Sequence, residues 1–186
     1  MSWAWIPNAI CVFRIILVWP VIWVLLQGQY SIALVLIAIA GFSDGLDGFL
    51  AKRYDWRTRL GSLLDPAADK LLLVSVFLTL TYLGLAPLWL ALTVVLRDAV
   101  IVCGAGAYQL LIGPVYGEPR RISKLNTACQ LVFVLSIITQ QGYGWPPEIS
   151  VLLLGAGVFY TSVISGLDYV LTWSKRAWQA KTKVSI

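Results

Sequence analysis

Apolar residues run along this chain in long blocks broken by short polar stretches, and blocks of spanning length fall at 9–27, 30–50, 63–83, 88–112, 125–141 and 149–173. A helix needs about 20 consecutive apolar residues to cross a bilayer, so the pattern predicts six transmembrane helices. The breaks are of two kinds. Those near 27–30, 82–87 and 141–148 carry no Lys or Arg. The alternate set holds Lys52, Arg53, Arg57, Arg59, Arg120, Arg121 and Lys124, and the tail adds Lys175, Arg176, Lys181 and Lys183. Basic loops stay on the cytoplasmic side, so this alternation predicts that both termini face the cytoplasm. The expected fold is an all-α polytopic membrane protein, a six-helix bundle forming one domain over residues 1–186. The first block has no basic segment before it and no small-residue cleavage site after it, which predicts a retained span rather than a removed leader.

Composition agrees with a bilayer as solvent. The chain is 59% hydrophobic and 12% charged, whereas soluble domains are about half apolar and about 25% charged. Its formal charge of +5 is explained by basic loops against anionic lipid headgroups, and no nucleic-acid partner is expected. Trp3, Trp5, Trp19, Trp145, Trp173 and Trp178 lie near proposed span ends and are expected as interfacial anchors. Histidine is absent. That excludes imidazole general bases, Ser-His-Asp and Cys-His nucleophile systems and every histidine metal site. Cys11, Cys103 and Cys129 lack metal or redox spacing and sit in apolar runs, so they are expected as small buried hydrophobes without chemistry.

Against this background the carboxylates of residues 44–69, DGLDGFLAKRYDWRTRLGSLLDPAAD, demand an account. Asp44, Asp47, Gly48 and Ala51 fall at i, i+3, i+4 and i+7, one face of the second helix. Gly61, Asp65 and Asp69 fall at i, i+4 and i+8, one face of the third. A short basic connection makes the two helices expected antiparallel neighbours whose acidic faces meet near the cytoplasmic surface. One ionised Asp inside a span costs about 2.5–3.5 kcal/mol on insertion scales, and four together also repel. A divalent cation cancels that repulsion. All-oxygen ligands suit Mg²⁺, Mn²⁺ or Ca²⁺, and Mg²⁺ commonly completes its shell with water and substrate phosphate, which predicts a phosphate-bearing substrate. Gly48 and Gly61 would let a ligand approach the backbone closely. Two other readings stand beside this one: pairing of Asp44 and Asp47 with Lys52 or Arg53 at the membrane edge, and a proton or cation path.

The same residues resemble the signature of the CDP-alcohol phosphotransferase family, DxxDGxxAR, eight residues, GxxxDxxxD. Asp44, Asp47, Gly48, Ala51, Gly61, Asp65 and Asp69 keep every spacing, and Lys52 stands where the family usually has Arg. Lys52 keeps the charge and loses the bidentate fork, with Arg53 adjacent. The start IPNAICVFR over 6–14 looks like the branch of the family that holds phosphatidylglycerophosphate synthases and eukaryotic-type cardiolipin synthases. LRDAVIV, with Arg97 and Asp98, and RISKLNTACQ, with Lys124 and Asn126, look most like the cardiolipin synthases, whose ISKxNTAxQ segment has Asn where the other group tends to have a second Lys.

The resemblance implies transfer of a phosphatidyl group from CDP-diacylglycerol to the hydroxyl of phosphatidylglycerol, with release of CMP; the alternative acceptor is glycerol 3-phosphate. It implies Mg²⁺ or Mn²⁺ held by Asp44, Asp47, Asp65 and Asp69, with Asp69 also taking the hydroxyl proton. Asp44, Gly48, Ala51, Lys52 and Gly61 are implied as nucleotide-binding. Arg97, Lys124, Asn126 and Arg14 are the acceptor candidates, Arg97 having internal pairing as its other reading. A homodimer is implied, with membrane lipids around it and each active site inside one subunit's bundle. The expected location is the bacterial inner (cytoplasmic) membrane with a cytoplasm-facing site, ahead of the mitochondrial inner membrane.

Overall fold

A computed structural model describes residues 6–53, 59–111 and 121–184, with side chains over 9–46, 68–104 and 122–172. The described residues form six helices: α1 (Ile6–Leu26), α2 (Tyr30–Arg53), α3 (Arg59–Tyr82), α4 (Leu88–Leu111), α5 (Arg121–Tyr143) and α6 (Glu148–Val184). No strand occurs among them. Three described helices contain stretches long and apolar enough to cross a membrane, Ala9–Leu26, Ile122–Tyr143 and Glu148–Thr172. A shorter apolar stretch, Tyr30–Leu46, opens α2. α6 extends past the apolar block that ended at 173, because Lys, Arg, Gln and Ala in its tail are good helix formers even where they are not lipid-soluble.

Turn chemistry fixes where α1 and α3 stop. Gly28 and Gly84 have φ of 71° and 75°, a left-handed conformation that glycine adopts without a Cβ penalty. After α1, the Gln29 N–H donates to the Val24 carbonyl at 2.9 Å and that of Gly28 to Leu25 at 3.0 Å. After α3, the Leu85 N–H donates to Leu80 at 2.9 Å and that of Gly84 to Thr81 at 3.0 Å. Both are paired end-caps that satisfy carbonyls the last turn would otherwise leave open. The first allows the chain to turn back so that α2 packs on α1.

The chain divides into two compact units. One comprises Met1–Ala86 with Val134–Glu148, the other Pro87–Phe133 with Ile149–Ile186. In the first, α1 packs on both α2 and α3. Its buried face repeats through Cys11, Arg14, Leu17, Val18, Val21, Val24 and Leu25, a spacing that keeps one stripe of the helix inward. The opposite face exposes Ile16, Trp19 and Trp23. In the second unit, Leu90, Val94, Phe133 and Val158 are buried while Leu92, Leu96, Leu152, Leu153 and Tyr160 are exposed. Large apolar side chains outside and Arg14, Arg97, Asn126 and Gln130 inside invert the arrangement of a water-soluble protein and fit a lipid surround. Among the cysteines, Cys11 is buried and Cys129 half-buried, but Cys103 is exposed. It lies on the face of α4 that also exposes Leu96 and Val100, so the expectation of burial is corrected there: a small hydrophobe gains as much from lipid as from a core.

Candidate active site

The first unit brings together three of the residues singled out by sequence. Arg14 sits on the inward stripe of α1 and is only 1% exposed. Its Nη1 donates to Asp44 Oδ1 of α2 at 2.9 Å and also pairs with Asp69 Oδ1 of α3. A guanidinium removed from water is tolerated only when carboxylates answer it. Here one atom is answered from two separate helices. Asp44 and Asp69 therefore converge on a common point, as the i, i+3 and i+4 spacings required of the facing surfaces. Their side chains are 45% and 49% exposed while paired with Arg14. Asp47, Gly48, Ala51, Lys52, Gly61 and Asp65 lie on α2 and α3, outside the residues whose side chains are described.

Two all-oxygen donors that already share one cationic atom, and remain half-open, are the kind of donor set that Mg²⁺ or Mn²⁺ takes. Among the described residues this pair is two of the four expected ligands, and no group of three or more candidate ligands occurs there; their all-oxygen chemistry is of the kind a hard divalent ion takes. Arg14, expected among the acceptor residues, is paired here with Asp44 and Asp69.

The second unit holds a different cluster. Arg97 of α4 is 4% exposed. Its Nη1 donates to Asp98 Oδ1 at 2.6 Å, and its Nη2 to Ser123 Oγ and Ser165 Oγ at 2.6 Å each. Its Nε donates to Ser165 Oγ at 3.2 Å. One side chain so ties α4 to α5 and α6. Asn126 is 0% exposed, and its Oδ1 accepts from Thr161 Oγ1 at 2.9 Å and Ser162 Oγ at 2.8 Å. Its Nδ2 has no partner among the described residues, nor has Nε2 of the buried Gln130, one helical turn further along the same face. Lys124, two residues before Asn126, is exposed.

The comparisons with known proteins bear on the whole of this arrangement. The family model for CDP-alcohol phosphatidyltransferase matches residues 4–173. The chain belongs to this family. It is 31% identical over 180 residues to the human cardiolipin synthase (CMP-forming), an alignment covering 88% of this chain and 60% of the relative. Its identity to the Streptomyces coelicolor cardiolipin synthase (CMP-forming) is 37% over 149 residues, covering 75% of this chain and 67% of the relative. A probable cardiolipin synthase (CMP-forming) of Drosophila melanogaster is 37% identical over 146 residues, covering 69% of this chain and 45% of the relative. The chain thus spans about 60% of the length of the human relative.

Within this CDP-alcohol phosphatidyltransferase chain, the matched region takes in both the Arg14 carboxylate pair and the Arg97 cluster. Sequence reading missed Ser123, Thr161, Ser162 and Ser165 as partners. A hydroxyl in an apolar helix bonds back to its own backbone at little cost, as Thr161 also does to the Gly157 carbonyl at 2.8 Å, and so leaves no anomaly in the pattern. Gln130 left a signal that was legible: it follows Asn126 by four residues, one helical turn, on the same face.

Proposed function

We propose that this chain is a cardiolipin synthase, transferring a phosphatidyl group from CDP-diacylglycerol to a hydroxyl of phosphatidylglycerol with release of CMP. The convergence of Asp44 and Asp69 on one cationic centre, from two helices, is the observation that carries the reading. The likeness to cardiolipin synthases over most of the chain supports the choice of acceptor. The chain acts as one domain over residues 1–186, with six membrane spans, cytoplasmic termini and a homodimeric state, in a bacterial inner membrane.

In this mechanism Asp44, Asp47, Asp65 and Asp69 would hold Mg²⁺ or Mn²⁺. When bound, the ion supplies positive charge to the pyrophosphate and so stabilises the leaving group. Asp69 orients the acceptor hydroxyl and takes its proton as the oxygen bonds to the phosphorus that carries diacylglycerol. The phosphorus–oxygen bond to the CMP phosphate breaks at the same centre. Gly48, Ala51 and Gly61, which carry little or no side chain, admit the nucleotide, with Asp44 and Lys52 beside it. Acceptor recognition falls to Lys124 and Asn126 on α5, and Arg97 positions the α5 face through Ser123.

The test is direct. Purified protein is incubated with labelled CDP-diacylglycerol and Mg²⁺ or Mn²⁺, with phosphatidylglycerol in one reaction and glycerol 3-phosphate in the other. Cardiolipin in the first alone is the expected result. Phosphatidylglycerophosphate in the second alone would replace this reading with the other acceptor.

A further inference from the structure

We propose that Arg14 is a built-in counter-cation for the carboxylate site, standing where a divalent ion's charge would otherwise be needed and giving way to it when the ion binds. This rests on the reading of Asp44 and Asp69 as metal ligands. The argument starts from charge. Asp44 and Asp69 are brought close enough to share one nitrogen, and two carboxylates at that separation repel one another even when half exposed, unless a cation lies between them. Arg14 supplies it from a third helix, where it is almost wholly buried. An arginine is suited to this because it stays charged whatever its surroundings.

The same geometry sets a competition. A divalent ion bound by Asp44 and Asp69 draws on the oxygens that now receive Nη1, so the positive charge of Arg14 opposes the ion's approach. Arg14 thus lowers the site's affinity for metal while holding the metal-free site together. It is a positioning residue, and its effect is read on metal binding and stability in the absence of any substrate.

The experiment uses the full-length protein in detergent, titrated with Mn²⁺ while the free ion is followed by its paramagnetic resonance signal, with melting measured at zero and saturating Mn²⁺. Arg14→Gln is expected to bind Mn²⁺ roughly tenfold or more tightly than the unsubstituted chain, about 1.4 kcal/mol. Its metal-free form is expected to melt lower, with most of the loss recovered on adding Mn²⁺. Unchanged or weaker Mn²⁺ binding in Arg14→Gln would overturn the proposal. Arg14→Lys separates charge from shape: its ammonium retains the charge, so Mn²⁺ affinity within about threefold of the unsubstituted chain is expected, whereas binding tightened as much as in a charge-removing variant would overturn the idea. If Arg14→Gln fails to fold without metal, Arg14→Met takes its place in the same titration, with the same tightening expected. Absence of any Mn²⁺ binding by the unsubstituted protein would remove the metal reading itself, and the inference with it.

Discussion

Two arginines are buried among the described residues, and they are buried for different purposes. Arg14 answers two carboxylates drawn from α2 and α3, and both of those are about half exposed. Arg97 answers its own neighbour Asp98, which is 11% exposed, and otherwise donates to serine hydroxyls. The first arrangement leaves its carboxylates about half exposed. The second is closed, and its serine contacts tie α4 to α5 and α6. The same residue type thus stands in the proposed reactive site of one unit and in a fastening of the other, and the accessibility of the anions tells them apart.

The sharpest way to break that contrast is to compare an isosteric change in the open site with a truncation in the closed one. Asp69→Asn removes the proposed proton acceptor and one metal-facing charge while keeping the shape. General-base removal alone costs about 10²–10⁴ in rate, so phosphatidyl transfer should fall by at least that factor. Melting of the detergent-solubilised protein should change less than in any Arg97 variant. Retention of more than a tenth of the transfer rate would take Asp69 out of the chemistry.

Arg97→Ala should show the opposite balance. It strips Asp98 of its ion pair and leaves Ser123 and Ser165 without their donor. Breaking a buried pair from one side costs about 3–5 kcal/mol, enough to cut the yield of folded protein substantially. A thermal melt near that of the unsubstituted chain would mean that Arg97 is not a fastening. Next in size, Ser165→Ala loses two hydrogen bonds to one guanidinium. Bonds to charged groups contribute about 1.5–3 kcal/mol, and the melt should fall accordingly with transfer activity per folded molecule retained.

The two arginine sites also separate what is legible in the amino-acid pattern from what packing alone decides. The helices were legible because lipid imposes long apolar runs, and the proposed spans at 30–50 and 88–112 lie close to α2 and α4. The facing of Asp44 and Asp69 was legible because helical spacing places each on a defined face. The role of Arg14 was not. Its partners lie 30 and 55 positions away in the chain, and only the packing of α1 against both α2 and α3 decides which of them it meets. Arg97 was ambiguous for the same reason: its neighbour Asp98 was visible, but Ser123 and Ser165 become partners through the meeting of three helices. Burial of Asn126 beside an exposed Lys124 follows from helical geometry, yet which of the two faces inward depends on α6.

The smallest expected effect compares glycines, and it probes the open and closed regions without touching a charge. Gly45 lies beside Asp44, and a Cβ built there meets nothing within 4 Å. At Gly155 a Cβ would come within 3.1 Å of Phe133 Cε2 and 3.7 Å of Leu90 Cδ2. Phe133 is itself buried, so its ring has little room to retreat. Gly155→Ala should therefore cost about 1 kcal/mol through overpacking, partly offset by the better helix propensity of alanine. Gly45→Ala receives the propensity gain with no steric cost and should leave the melt unchanged or slightly raised. If both substitutions lowered the melt equally, the space beside Asp44 would have to be filled in the folded protein, and the openness that separates the two arginine sites would be lost as an explanation.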